Sequence, residues 1–151
     1  MKKLVLTAAA TAALAATALL GTATARSGPP TGTLALVQLE RDARSGFVDN
    51  PPRRRESAGD VFTIRGPVRD AANQPAGSAQ ATFTQTGRTT AHGSATCALA
   101  QGRIATAGTI GGGAEETLVI TGGTGAYAGA TGAVQVTERR DRVEFVFSFG
   151  S

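Results

Sequence analysis

The side chains best suited to chemistry are few: one histidine, His92, one cysteine, Cys97, and one tyrosine, Tyr127, in 151 residues. A Cys-His nucleophile pair or a Ser-His-Asp triad would need His92 beside its nucleophile. His92 and Cys97 are five apart in a β-type run, and this odd offset sends them to opposite faces of a strand. With nothing nearby to lower its pKa, Cys97 reads as an inert wall residue. A single histidine and no spaced acidic cluster of the calcium-loop kind leave no metal site. No catalytic residue emerges on these grounds.

The other chemical signal is Gly123-x-Gly125-x-x-Ala128, which follows an apolar run at 118–120 with the spacing of a pyrophosphate-cradling loop. Dinucleotide binding there requires a long helical crossover and then a parallel strand. Residues 130–137 instead carry Gly132 and β-branched side chains without a helical apolar period, so no cofactor is expected. Gly122, Gly123, Gly125 and Gly129 read as a structural corner between two strands. Tyr127 sits on that corner, its hydroxyl placed to reach a ligand or to cap a backbone carbonyl.

The elements that must position these groups are strands. Residues 33–41 alternate, with Ala35, Val37 and Leu39 on one side and Leu34, Leu36 and Gln38 on the other. Further β-type runs at 61–68, 78–86, 94–100, 103–110, 118–121, 130–137 and 143–149 are separated by turn residues, each compatible with an antiparallel return. The stretch 44–60, with Pro51-Pro52 and then Arg53, Arg54 and Arg55, reads as a surface loop whose charges are solvated. In the last run Val143, Phe145, Phe147 and Phe149 share one face, which must be buried in a lumen or between subunits. The expectation is an all-β, eight-stranded antiparallel closed β-barrel, since closure removes exposed edges. Such a barrel has either a packed interior or room for one small ligand.

Met1-Lys2-Lys3, an uncharged Ala/Leu run at 4–20 and Ala23-Thr24-Ala25 follow the order of an export signal cleaved after Ala25. The expected organisation is a signal peptide at 1–25, a flexible segment without a packing face at 26–32 and a single barrel domain at 33–151. The apolar run is short for a membrane span, and no cysteine near the cleavage point could be acylated. A secreted or periplasmic protein without a stable membrane anchor is therefore expected. The formal net charge of +4 includes Lys2 and Lys3 and falls to +2 without them, which points to no nucleic-acid partner. One cysteine allows no intrachain disulfide, so the fold must stand on its packing.

The glycine-rich stretch at 118–133 resembles the signature of the allene oxide cyclase and dirigent barrel superfamily. Gly59-Asp60-Val61-Phe62, Gly66-Pro67-Val68, Gly77-Ser78-Ala79-Gln80-Ala81 and Gln101-Gly102-Arg103-Ile104 extend the likeness over about residues 33–149. The resemblance implies a trimeric or dimeric barrel whose apolar lumen holds a reactive small molecule and steers a non-redox isomerisation, cyclisation or coupling by confinement. It places Ala35, Val37 and Leu39 toward the lumen, and strand parity adds Phe62, Ile64, Phe83, Phe145 and Phe147, with Tyr127 at one end. The glutamate and asparagine of the plant cyclases fall on Val37 and Leu39. The dirigent aspartate pair falls on Arg65 and Gly66, and the dirigent arginine on Thr131. Plant-type catalytic residues are thus unmatched, and the alternative is a non-catalytic hydrophobic-ligand carrier or a structural or interaction protein.

Overall fold

The computed structural model describes residues 28–50 and 57–150. The expected signal peptide and Arg53–Arg55 lie outside the described residues. Among the described residues nine strands form one antiparallel sheet: β1 (Gly32–Leu39), β2 (Arg44–Val48), β3 (Val61–Asp70), β4 (Pro75–Gln85), β5 (Ala91–Leu99), β6 (Gly102–Ile110), β7 (Glu115–Gly125), β8 (Gly132–Glu138) and β9 (Arg142–Phe149). From β3 onward each strand pairs with the next, β9 pairs with β1, and β1 closes on β3 through Leu36↔Asp70 and Val37↔Arg69. The result is a closed eight-stranded barrel with one extra strand.

That extra strand corrects the sequence reading of 44–60 as a loop, because Arg44–Val48 pairs with β3 from Arg44↔Arg65 to Val48↔Val61. β1 and β2 run along the same edge of β3, interrupted by a 3-10 turn at Glu40–Asp42. Gly66 makes the interruption possible: a Cβ on it would meet Ala43 Cα, the Asp42 carbonyl oxygen and Gln38 Nε2, each at 3.0 Å. The paired residues end at Val48, short of Pro51 and Pro52, which have no N–H to give a ladder. Of the 26–32 segment only 28–32 is described, and this part differs from expectation, since Pro30 is buried and Gly32 already pairs with Phe149.

The glycine corner is displaced as well. β7 continues through Gly122 and Gly123 to Gly125, with a register shift opposite Ala105 and Thr106, and the turn itself occupies 126–129. Successive bonds shape that turn, Tyr127 N–H donating to Thr124 O (3.2 Å), Ala128 N–H to Gly125 O (3.1 Å) and Ala130 N–H to Tyr127 O (3.0 Å). Gly123 lies under the returning chain, where a Cβ would strike the carbonyl oxygens of Tyr127 and Arg103. The spacing that mimics a phosphate loop is therefore a strand end folded back on itself. The core is the barrel interior, led by Phe147, Leu36, Ile104, Val68 and Val134, each almost wholly removed from solvent. Apolar area taken from water here is the main stabilising term, at about 25 cal/mol per Å².

Candidate functional site: the barrel lumen

Alternation along a strand sends every second side chain inward, and closure of the barrel fixes which half. On β1 the inward set is Leu36 and Gln38, 1% and 3% exposed, with Leu34 partly buried against the same core. Ala35 is exposed, and Val37 and Leu39 are half-buried on the opposite face. The expected lumen placement of Ala35, Val37 and Leu39 is therefore corrected by one residue. β1 is apolar on both faces, so its pattern alone did not select the side, whereas the bulkier Leu34 and Leu36 were the available signal for the inner one.

The interior encloses a cavity of about 320 Å³, at the lower end of small-ligand pockets, which run about 300–1,000 Å³. Phe62, Ile64, Phe83, Phe145 and Phe147 line it, so the Phe145 and Phe147 stripe faces inward rather than a partner. Phe62 and Phe83 stack with ring centroids 5.4 Å apart. Cys97, Leu118, Val134 and Val136 complete the apolar wall, and Glu116, Glu138, Gly112 and Gly113 belong to the rim. Tyr127 is not among the lining residues. It closes the far end of the barrel, stacked on Phe149 at 6.0 Å.

Gln38 is the polar group that sequence reasoning missed. Gln38 is among the lining residues, and its buried amide Nε2, which lies beside Gly66, has no hydrogen-bond partner among the described residues. An unmade bond of this kind costs about 1–3 kcal/mol. Thr106, the other buried polar side chain in the wall, is already engaged, its hydroxyl donating to Ala95 O at 3.4 Å. Burial pushes the Cys97 thiol up to about 12, so it stays protonated and is a poor nucleophile. Burial, and then the neighbouring Cys97, also raise Tyr127. His92 lies outside, its Nδ1 3.1 Å from Thr109 Oγ1, on the strand face opposite Cys97. At the rim the Glu116 carboxylate accepts the Gly111 and Gly113 N–H groups at 2.8 and 2.9 Å, which fixes the β6–β7 turn. Chemically, the lumen can hold an apolar body between phenyl rings, with the Gln38 amide in its wall as a donor that no described residue engages.

Residues 58–147 match the allene oxide cyclase barrel-like domain family. No curated protein matches the chain. Among solved structures, the barrel is similar to a pyocyanin demethylase, with a TM-score of 0.69 at 20% identity, covering 79% of this chain and 100% of that one. It is also similar to an exo-specific intermolecular Diels-Alderase (TM-score 0.60, 16% identity, 78% of this chain and 95% of that one). A pterocarpan synthase dirigent protein has the same barrel at a TM-score of 0.57 and 15% identity, over 78% of this chain and 84% of that one. At these identities the likeness establishes the fold, and the chemistry has to be argued from the lumen.

Proposed function

The chain belongs to the allene oxide cyclase barrel-like family, and from that premise we propose that its lumen binds a small, mostly apolar molecule and guides a non-redox isomerisation, cyclisation or coupling by confinement. The observation that carries this reading is the Gln38 amide, unpartnered among the described residues, in the wall of a mostly apolar cavity. A ligand carbonyl or ether oxygen placed against Nε2 would recover the missing bond, and the phenyl walls would hold the rest of the molecule in one conformer. Restricting a reactant to a near-attack geometry away from water lowers a barrier by several kcal/mol without a nucleophile. A hydrogen bond to a carbonyl conjugated with the reacting centre adds polarisation of the kind that favours ring closure.

The second reading, a carrier that binds the same class of molecule unchanged, is favoured by the protonated state of Cys97 and by the unmatched plant-type residues. Mass-spectrometric identification of small molecules released from the purified protein, followed by incubation with them and their reactive precursors, separates the two. Product formed faster than in buffer supports guidance, and saturable binding without product supports carriage. Gln38→Leu is expected to weaken binding by about tenfold, the scale of one lost hydrogen bond, without lowering Tm. Unchanged affinity in Gln38→Leu would remove the proposed contact. We also read residues 1–25 as a cleaved export signal and the barrel as a dimer or trimer. Intact mass of the exported protein and sedimentation test these readings.

A further inference from the structure

The outer wall of β2 to β5 carries a second concavity of about 750 Å³, open to solvent. Its floor is set by register. Arg44, Arg65, Gln80 and Thr96 are successive cross-strand partners, and Gly46, Thr63, Thr82 and Ser94 form the next row on the same face. Phe62 and Phe83, at the alternate positions, point into the lumen, so both rows point outward. Apart from Gly46 the two rows are polar, with a pair of cations at one corner and hydroxyl and amide groups beyond, while Ile64, Ala81 and Ala95 also border the concavity.

Two features single it out. Arg44 stands directly opposite Arg65, an arrangement that destabilises a sheet when the charges are alike. Among the described residues neither arginine has an ion-pair partner, and the acid nearest Arg44 in sequence, Asp42, is engaged by Arg41 at 4.0 Å and Arg69 at 3.9 Å. In the adjacent row, Gly46 leaves the Thr63 hydroxyl uncovered, since a Cβ at that position would lie 2.8 Å from Thr63 Oγ1.

We propose that this trough binds a polar, oxyanion-bearing ligand, with Arg44 and Arg65 together holding a carboxylate or phosphate group and the hydroxyl and amide rows taking the oxygens beyond it. Guanidinium groups present paired N–H donors that match the geometry of such anions. An anion between the two arginines converts their repulsion into a shared attraction. The lumen, mostly apolar and with the Glu116 and Glu138 carboxylates at its rim, suits the opposite class of molecule, so the two sites do not compete. Because the trough is exposed, binding is sensitive to salt.

The test is a nitrogen-15 chemical-shift titration of the full chain at low ionic strength with two probes, inorganic phosphate and a trigalacturonate oligosaccharide. Either probe is expected to shift the amides of Arg44, Thr63, Arg65, Gln80 and Thr82, and added sodium chloride to reverse the shifts. Arg44→Gln and Arg65→Gln should each weaken binding about tenfold, the effect of one lost charge-assisted bond. Neither should lower Tm, because each removes a repulsion, and an unchanged Tm separates lost binding from lost folding. Stronger binding of phosphate assigns the arginine corner to a phosphate group, and stronger binding of trigalacturonate assigns the strip to a carboxylate on a hydroxyl-rich chain. Absence of shifts at these amides with both probes overturns the proposal, as does binding that both substitutions leave intact.

Discussion

At one end of the barrel Tyr127 stacks on Phe149 and Phe149 on Phe147, with centroids 6.0 and 6.4 Å apart, while the turn at 126–129 folds back over Gly123. At the other end carboxylates hold the chain. Asp60 accepts the Asn50 and Ser57 N–H groups at 2.9 and 2.6 Å and so pins both sides of the stretch 51–56. Glu116 holds the β6–β7 turn, and Glu144 bonds Arg142 at 2.8 Å and Arg139 at 3.5 Å. The closed end is thus sealed mainly by apolar burial and close backbone packing, although in its exposed β3–β4 turn Asp70 also accepts the Ala72 and Gln74 N–H groups, each at 2.9 Å. The rim end depends more heavily on ionised groups.

The sharpest way to break this contrast is Phe147→Ala, which empties the floor of the lumen at a residue only 1% exposed. Denaturant unfolding should register a loss of about 3–5 kcal/mol. Next comes Gly123→Ala, whose added methyl group must displace the turn above it. A cost of about 1–3 kcal/mol is expected, with the largest amide-exchange increase at 126–130 and little change at the rim. Equal loosening of both ends in that variant would erase the distinction.

Acid titration gives a smaller effect, confined to the rim. Backbone N–H bonds from Asn50 and Ser57 hold Asp60 below the usual carboxylate range, and the Arg142 hydrogen bond does the same for Glu144. A carboxyl depressed in the folded state contributes stability that is complete above its unfolded pKa, about 3.9 for Asp and 4.3 for Glu. That contribution is lost as pH falls through the lower folded value. Amide exchange near Asn50 and Ser57 should accordingly rise as pH falls below about 4, while Phe147 and Phe149 remain protected. Asp60→Asn should flatten that response, and a uniform response across the barrel would contradict it.

Much of this architecture is legible in the residues themselves. Alternating β-branched and aromatic side chains, broken at the turns 71–74, 100–101 and 139–141, specify antiparallel strands because such turns permit only short returns. The inward face of β9 is equally plain, since Phe145 and Phe147 alternate with Glu144 and Ser148. Other features depend on distant partners. Arg44–Val48 contains no strong strand signal and is a strand because the edge of β3 is there to pair with it. The glycines after Ile120 look like a turn locally, yet β6 holds them in the ladder as far as Gly125. The face of β1 is the decisive case: either side could be buried by composition, and only closure onto β3 and β9 turns Leu36 and Gln38 inward. The sequence therefore determined the eight barrel strands and the barrel class, through local periodicity and turn chemistry. Tertiary structure alone decided that a glutamine amide, and not Val37 or Leu39, faces the lumen, because a one-residue change of register exchanges every side chain between the faces.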